Sequence, residues 1–377
     1  MEHRRFRVFG ERVRVPTPKK LGHRPSLLDP LAMGRKTVAV MKAGVYTEAG
    51  TLELQDWPEP AAGPGELLVR VRGCGLCGSD ISEGDEPGHE GPCRLRPRGG
   101  GGHRPGGRGR ARGSARGQRI VAAHHVPCFA CHYCRRGSAS MCRHFKRINL
   151  DPGGFAELCR VPAPNVDHAT FALPEAMSDE SASFTEPLAC CLRAVKRCRV
   201  ERGDTVIVVG LGSIGCLLIQ AFTLSGTTVF GSDLMPVRRA LGRGAGARVF
   251  DSDAELDRAL DEATDGRGAD VVMLTAGGAA LLPWAAAHAR DGGHLHYFAG
   301  GSGESLPLAL AELYHRELTL STTYSSSPVE LREAFDLLSQ GKVTVDGLIT
   351  HRLPLAKLAH AVELMQKQEA VKVYITP

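Results

Sequence analysis

Four cysteines, Cys128, Cys131, Cys134 and Cys142, stand close enough in the chain to grip one metal ion. Thiolates at C-x2-C-x2-C-x7-C spacing can close a tetrahedral shell with no position left for a substrate, so the ion they hold would be structural. Zinc and an iron–sulfur cluster use related spacings. Paired disulfides are the third reading, and they suit an oxidising compartment. The first twenty residues lack the apolar stretch of a secretion signal, so a cytoplasmic, reducing location is expected.

A second constellation is Gly210-Leu211-Gly212-Ser213-Ile214-Gly215. It follows an apolar run, Val206–Val209, and opens a helix that reaches Ala221. In this context the first glycine permits a tight turn and the second lets backbone approach a pyrophosphate. The third lets the helix pack on its strand. The helix N-terminus presents unpaired N–H groups to the phosphates. A second strand, Thr228–Ser232, ends at Asp233, 18 residues past Gly215, where a carboxylate can accept from a ribose 2′-hydroxyl. Asp233 favours NAD, because it would repel a 2′-phosphate. Arg238 and Arg239 just beyond it leave NADP open.

The elements that must carry these residues fall into two styles. Between Val38 and about Glu180, short strands alternate with Gly/Pro turns, as in Thr51–Leu54, Glu66–Arg72 and Arg119–Ala123, which predicts a β-rich domain. From Ala182 a helix over about 183–196 leads into alternating strands and helices up to about Thr323, the pattern of a parallel sheet with crossover helices. Two amphipathic helices, near 329–340 and 355–366, and a closing strand over 371–375 complete the chain. The segmentation that follows is a basic extension over 1–32, a β-rich domain over 33–180, a dinucleotide-binding domain over 181–324, and a C-terminal part, 325–377, that returns to the β-rich domain. The extension is read either as upstream of a natural start at Met33 or as a disordered basic tail.

Gly73-Cys74-Gly75-Leu76-Cys77-Gly78-Ser79-Asp80, then the four-cysteine lobe, Gly153-Gly154-Phe155-Ala156-Glu157, Glu186-Pro187-Leu188, the glycine turn and Arg316-Glu317-Leu318-Thr319 form one ordered set. With that set the chain resembles the zinc-containing medium-chain dehydrogenases of the alcohol dehydrogenase superfamily, in the branch holding sorbitol and threonine dehydrogenases. The resemblance implies a Rossmann-type doubly wound parallel sheet, α/β in class, plus a β-rich GroES-like catalytic domain with a structural-zinc lobe. It implies two zinc ions, one structural at the four cysteines and one catalytic. By that resemblance Cys77 and Glu186 bind catalytic zinc, with His89 and Glu90 as the nearest match to the missing second ligand, and Ser79 relays the alcohol proton. The implied activity is hydride transfer between a secondary alcohol (a polyol, cyclitol or amino alcohol) and NAD. The alternatives are an NADPH-dependent biosynthetic reductase and a catalytically impaired nucleotide-binding relative. The implied partners are a small alcohol and a further copy of the chain, with neither nucleic acid nor membrane. Cys74, Cys159, Cys190, Cys191, Cys198 and Cys216 read as core or bystander thiols.

Two departures from the family pattern stand out. A relay histidine five residues past the zinc cysteine is replaced by Ser82. More seriously, residues 93–117 hold nine Gly and eight Arg with no aromatic and no β-branched residue, within an aberrant stretch over 84–117 where the second zinc ligand and packed strands belong. Gly88-His89-Glu90 falls only 12 residues past Cys77, and His103 falls 26 past it and is followed by Arg104. Back-translation of 95–103 in a frame shifted by one nucleotide permits Phe-Gly-His-Glu-Val-Ala-Gly-Val-Thr, which reads like the absent segment. Paired compensating frameshifts are therefore expected between Ser82 and Gln118, and resequencing tests them.

The net charge of +6 is confined to odd segments: residues 1–36 carry +7 and 93–117 carry +8, so the remainder is acidic. An RG-rich nucleic-acid binder using 93–117 is the reading from another class, and it is disfavoured by the acidic body and the lack of interleaved aromatics.

Overall fold

The computed structural model describes residues 39–47, 52–82, 117–299 and 305–377. The basic extension, His89, Glu90, His103 and the Gly/Arg-rich stretch up to residue 116 lie outside the described residues. Strand β1 (Val40–Tyr46) pairs antiparallel with β2 (Leu52–Pro58). Met41, Ala43 and Val45 turn inward while Val40 and Lys42 face out, the two-residue period of a strand with one wet face. Strand β3 (Leu67–Arg70) precedes the two-residue β4 (Cys74–Gly75) and the one-turn helix α1 (Ser79–Ser82). Then come β5 (Ile120–Ala122), α2 (His132–Arg135), β6 (Leu158–Val161), α3 (Ala163–His168) and β7 (Thr170–Ala172). β6 returns to β3 and β7 to β5, both antiparallel.

Two helices bridge to the large sheet. Short α4 (Asp179–Ala182) is capped by Ser178, whose Oγ accepts from the Ser181 N–H at 3.0 Å. Long α5 spans Thr185–Cys198, two residues later than the sequence reading placed it. The reason is local: the Ser183 hydroxyl donates to the Glu180 carbonyl at 2.7 Å and so closes the preceding turn.

The large sheet holds β8 (Thr205–Val209), β9 (Thr228–Ser232), β10 (Arg248–Val249), β11 (Ala269–Leu274), β12 (Ala289–Tyr297) and β13 (Thr319–Thr322). All five pairings are parallel, in the order β10-β9-β8-β11-β12-β13. Crossovers include α6 (Ser213–Leu224), α7 (Pro236–Gly244), α8 (Asp253–Thr264), α9 (Leu282–His288) and α10 (Leu310–His315). Every residue of β11 is buried, because helices cover both faces of a doubly wound sheet. One apolar cluster joins the sheet to α5 and α6, and a second joins it to α8 and α9. This is the Rossmann-type arrangement anticipated above, and the strand order reverses between β8 and β11, where such sheets bind ligands.

After α11 (Pro328–Ser339), the chain forms β14 (His351–Pro354), α12 (Leu358–Gln366) and β15 (Val373–Thr376). β15 runs parallel to β14 and antiparallel to β4, with Tyr374 opposite Gly75 and Ile375 opposite Cys74. The last strand begins later than its β-rich sequence suggested, because Thr350 takes up the backbone at 371–372: its N–H donates to the Lys372 carbonyl at 3.0 Å, and its Oγ1 accepts from the Val371 N–H at 3.0 Å. Among the described residues no helix is long and apolar enough to cross a membrane.

Candidate active site

The glycine turn joins β8 to α6 at the switch point. Gly210 has φ +90°, and a Cβ there would meet Thr275 Oγ1 at 2.5 Å. Thr275 follows β11 and donates to the carbonyls of Val209 (3.0 Å) and Gly210 (2.8 Å), so the strand across the crevice pins the turn. A Cβ on Gly215 would collide with the Gly210 carbonyl oxygen, whereas one on Gly212 would meet nothing within 4 Å. Two glycines are therefore demanded by packing, and the third leaves a gap beside the N-terminus of α6. Asp233, just past β9, closes the rim: its carboxylate accepts from the Leu211 N–H at 2.7 Å and the Met235 N–H at 2.8 Å. Ser213 and Ile214 start α6 with N–H groups turned to the same gap. A pyrophosphate and ribose fit this cradle.

The two arginines beyond Asp233 part company. Arg239 is held by Asp251 at 3.0 Å and by the carbonyls of Asp233 and Leu234, both at 3.1 Å. Arg238 keeps a buried Nε with no hydrogen-bond partner.

Changing Gly215 to Ala tests the turn directly. The added methyl forces α6 away from β8, at a cost of about 1–3 kcal/mol typical of overpacking. The expected result is a lower melting temperature and an NADH affinity weakened by roughly tenfold or more, read by titration of NADH fluorescence.

The four-cysteine lobe is assembled as the spacing predicts. Its sulfurs all lie within 4.8 Å of one another, with Cys131–Cys134 at 3.4 Å, Cys128–Cys142 at 3.5 Å and Cys128–Cys134 at 3.9 Å. Tetrahedral Zn–S bonds of about 2.3 Å require S–S edges of roughly 3.8 Å, so the set fits zinc without rearrangement. Burial opposes ionisation of Cys142, but N–H groups of Cys128, Phe145 and His144 outweigh it and draw the thiol down to about 6. All eleven described cysteines are free thiols.

The residues read from the sequence as a second metal site, Cys77 and Glu186, come from distant elements. Cys77 precedes α1, and its N–H donates to Asp80 Oδ2 at 2.7 Å. Asp80 is 5% exposed, and burial pushes its carboxyl up to about 6; the Cys77 N–H and the Lys372 ammonium oppose this, and the charge of Glu186 adds to it. Glu186 lies in the first turn of α5, where the helix dipole favours a carboxylate, and it accepts from the Cys190 thiol at 3.1 Å. His125 stands nearby, its Nδ1 on the Ile148 carbonyl at 2.7 Å, and burial holds its ring down to about 3. A thiolate and a carboxylate are ordinary zinc donors. Among the described residues Cys77 and Glu186 belong to no cluster of three ligating groups. The remaining donor read from sequence, His89 with Glu90, lies outside the described residues, and the side chain of Ser79 is not described.

Sequence reasoning passed over Asp80, Lys372, His125 and Cys190. Only Asp80 carried a signal, as the acid ending the Cys77-Gly78-Ser79-Asp80 motif. Cys190, taken there as a bystander, is instead bonded to Glu186. One contact ties this neighbourhood to the glycine turn: Cys191, on the helix that begins beside Glu186, sets its Sγ 3.9 Å from the Ile214 carbonyl.

Comparison with known proteins places these features together. The profile of the alcohol dehydrogenase GroES-like domain matches residues 63–171, and that of the zinc-binding dehydrogenase domain matches 213–340. A sorbitol dehydrogenase of Halalkalibacterium halodurans is 28% identical over 354 residues, covering 89% of this chain and 99% of that protein. A protein named probable zinc-binding alcohol dehydrogenase in Mycobacterium tuberculosis is 31% identical over 334 residues, covering 85% of this chain and 84% of its own length. Among solved structures, one described as a zinc-binding dehydrogenase of Sinorhizobium meliloti, bound to NADP, superposes with a TM-score of 0.74 at 28% identity, covering 90% of this chain and all (100%) of that one.

Proposed function

Because the chain belongs to the zinc-containing medium-chain alcohol dehydrogenases, we propose that it oxidises a secondary alcohol of the polyol class, with NAD as acceptor, at a zinc site made by Cys77 and Glu186. The observation that supports this reading best is the course of α5. The helix carries Glu186 in its first turn and packs, through Cys191, on Ile214 of the glycine turn, so one helix links a metal donor to the cofactor cradle. When bound, zinc supplies Lewis acidity to an alcohol oxygen and the nicotinamide accepts the hydride.

The chain's own residues do the rest. Asp80 holds the Cys77 backbone, and the Lys372 ammonium favours the charged form of the buried Asp80 carboxyl. Cys190 orients the Glu186 carboxylate. The neutral rings of His124 and His125, 4.1 Å apart, keep the adjoining wall uncharged. Ser79 takes the alcohol proton in this reading; with Ser82 in place of a relay histidine, that proton leaves by solvent rather than by an imidazole. The other zinc fills the lobe of Cys128, Cys131, Cys134 and Cys142. The partners in this scheme are a small alcohol and a second copy of the chain.

A panel of polyols and amino alcohols, followed at the NADH absorbance band with and without chelator, tests the assignment. Chelator-sensitive NADH formation on a polyol is expected. NADH binding without turnover of any panel member, in zinc-replete protein, sinks it.

NADP is a second reading that one observation favours: Arg238, five residues past Asp233, keeps a buried Nε with no hydrogen-bond partner. Replacing Asp233 by Ser removes the carboxylate that selects a 2′-hydroxyl. A hydrogen bond to a charged group is worth about 1.5–3 kcal/mol, so kcat/KM for NAD should fall roughly 10- to 100-fold while that for NADP rises. An unchanged NAD:NADP ratio would remove Asp233 from the selection.

A further inference from the structure

Helix α5 carries Glu186 at one end, and its other end meets a group that the alcohol site does not use. Cys198, the last residue of α5, is 5% exposed, and His296 of β12 is fully buried. His294 and His296 are two apart on a strand and face the same side, while Leu295 between them joins the core on the opposite side. One ligating atom from each of Cys198, His294 and His296 lies within 4.8 Å of the others.

The hydrogen bonds aim the rings. His294 Nε2 and His296 Nδ1 converge on one point, the Ser321 Oγ of the neighbouring strand, at 2.6 and 2.7 Å. Away from that point, His296 Nε2 meets Thr323 Oγ1 at 3.0 Å, and the His294 ring bonds the Cys198 backbone carbonyl. Each imidazole is thus held through both nitrogens, one on the Ser321 hydroxyl and the other on an outer partner; an ion entering the cluster would take one nitrogen of each ring from Ser321 while the outer partner keeps the ring oriented.

We propose that Cys198, His294 and His296 form a metal site separate from the alcohol site and the four-cysteine lobe, taking Zn2+ or a like borderline divalent cation. One thiolate and two imidazoles are a zinc-type donor set, and the Ser321 hydroxyl or a water completes four-coordination. Contraction of the three ligands by up to about an ångström, with Ser321 Oγ drawing back from the two ring nitrogens, reaches Zn–N and Zn–S bond lengths. Burial pushes the Cys198 thiol up to about 12. The ion displaces that proton to solvent as the S–metal bond forms. With 14 residues, α5 separates this site from Glu186 by about 20 Å, so the ion would staple the far end of the helix to the parallel sheet.

The test uses the full chain in a Cys77→Ser background, so that the alcohol site offers no thiolate. After loading with Zn2+ and dialysis, elemental analysis should show one equivalent lost on adding His296→Asn or Cys198→Ser. Co2+ titration should give, beyond the four-thiolate spectrum of the lobe, a weaker single-thiolate charge-transfer band that vanishes with Cys198→Ser. Equal metal content across the three proteins with superimposable Co2+ spectra overturns the proposal. If a variant does not fold, the Cys77→Ser chain alone decides: no single-thiolate band on titration past the lobe overturns it equally.

Discussion

Replacing Cys77 by Ser removes alcohol oxidation almost completely, with kcat/KM falling by on the order of 10^3-fold or more. A Lewis-acidic ion contributes several kcal/mol to alcohol activation, and each 1.36 kcal/mol of barrier is about tenfold in rate. Cys77 is fixed by Asp80, which accepts from its backbone N–H at 2.7 Å, and a serine hydroxyl is a far weaker zinc donor than a thiolate. NADH affinity should stay within about twofold, because the cradle at Gly210–Gly215 is built by β8, α6, Thr275 and Asp233, to none of which Cys77 belongs. Activity near that of the unaltered chain, with zinc content one equivalent lower, would show that hydride transfer here does without a metal at Cys77.

The second large effect is on stability. Changing Cys142 to Ser should unfold the lobe over 128–148, with loss of one zinc and rapid proteolysis of that segment while the parallel sheet persists. The apolar core of the lobe is small: Ala139, Cys142 and Phe145 are buried, but Phe129, Tyr133 and Met141 are exposed and α2 buries no residue. Structural zinc contributes on the order of 10 kcal/mol or more to folding such loops. Cys142 is the sulfur that receives the Cys128 N–H at 3.4 Å, so a hydroxyl there loses both the metal bond and the turn it organises. Limited proteolysis with mass mapping, alongside zinc analysis, checks this; a variant that keeps its zinc and resists protease would show that the lobe is held by other means.

What the sequence made legible was local. The glycine turn and the four cysteines each lie within a few turns of chain, and their spacing alone constrains geometry. Parallel-sheet strands such as Ala269–Leu274 were visible as apolar runs between helices. The contacts that shape the alcohol site were not. Lys372 reaches Asp80 because the last strand pairs with β4, and no pattern near either residue announces that pairing. Cys190 looked like one more thiol on the apolar face of a helix until Glu186 proved to lie one turn before it. Cys198 lies in the apolar core, as read from the sequence, but the two histidines beside it are far along the chain. The alternation His294-Leu295-His296 on a strand was the available signal, since two imidazoles spaced by one residue must share a face.

The pairing of β15 with β4 carries a consequence for biosynthesis. The parallel sheet is complete once Thr322 has left the ribosome, and it can fold while translation continues. The strand beside Cys77 must wait for Tyr374 and Ile375, three residues and two residues from the end of the chain. A nascent or prematurely terminated chain would therefore complete the parallel sheet before it gained the strand that pairs with Cys74 and Gly75.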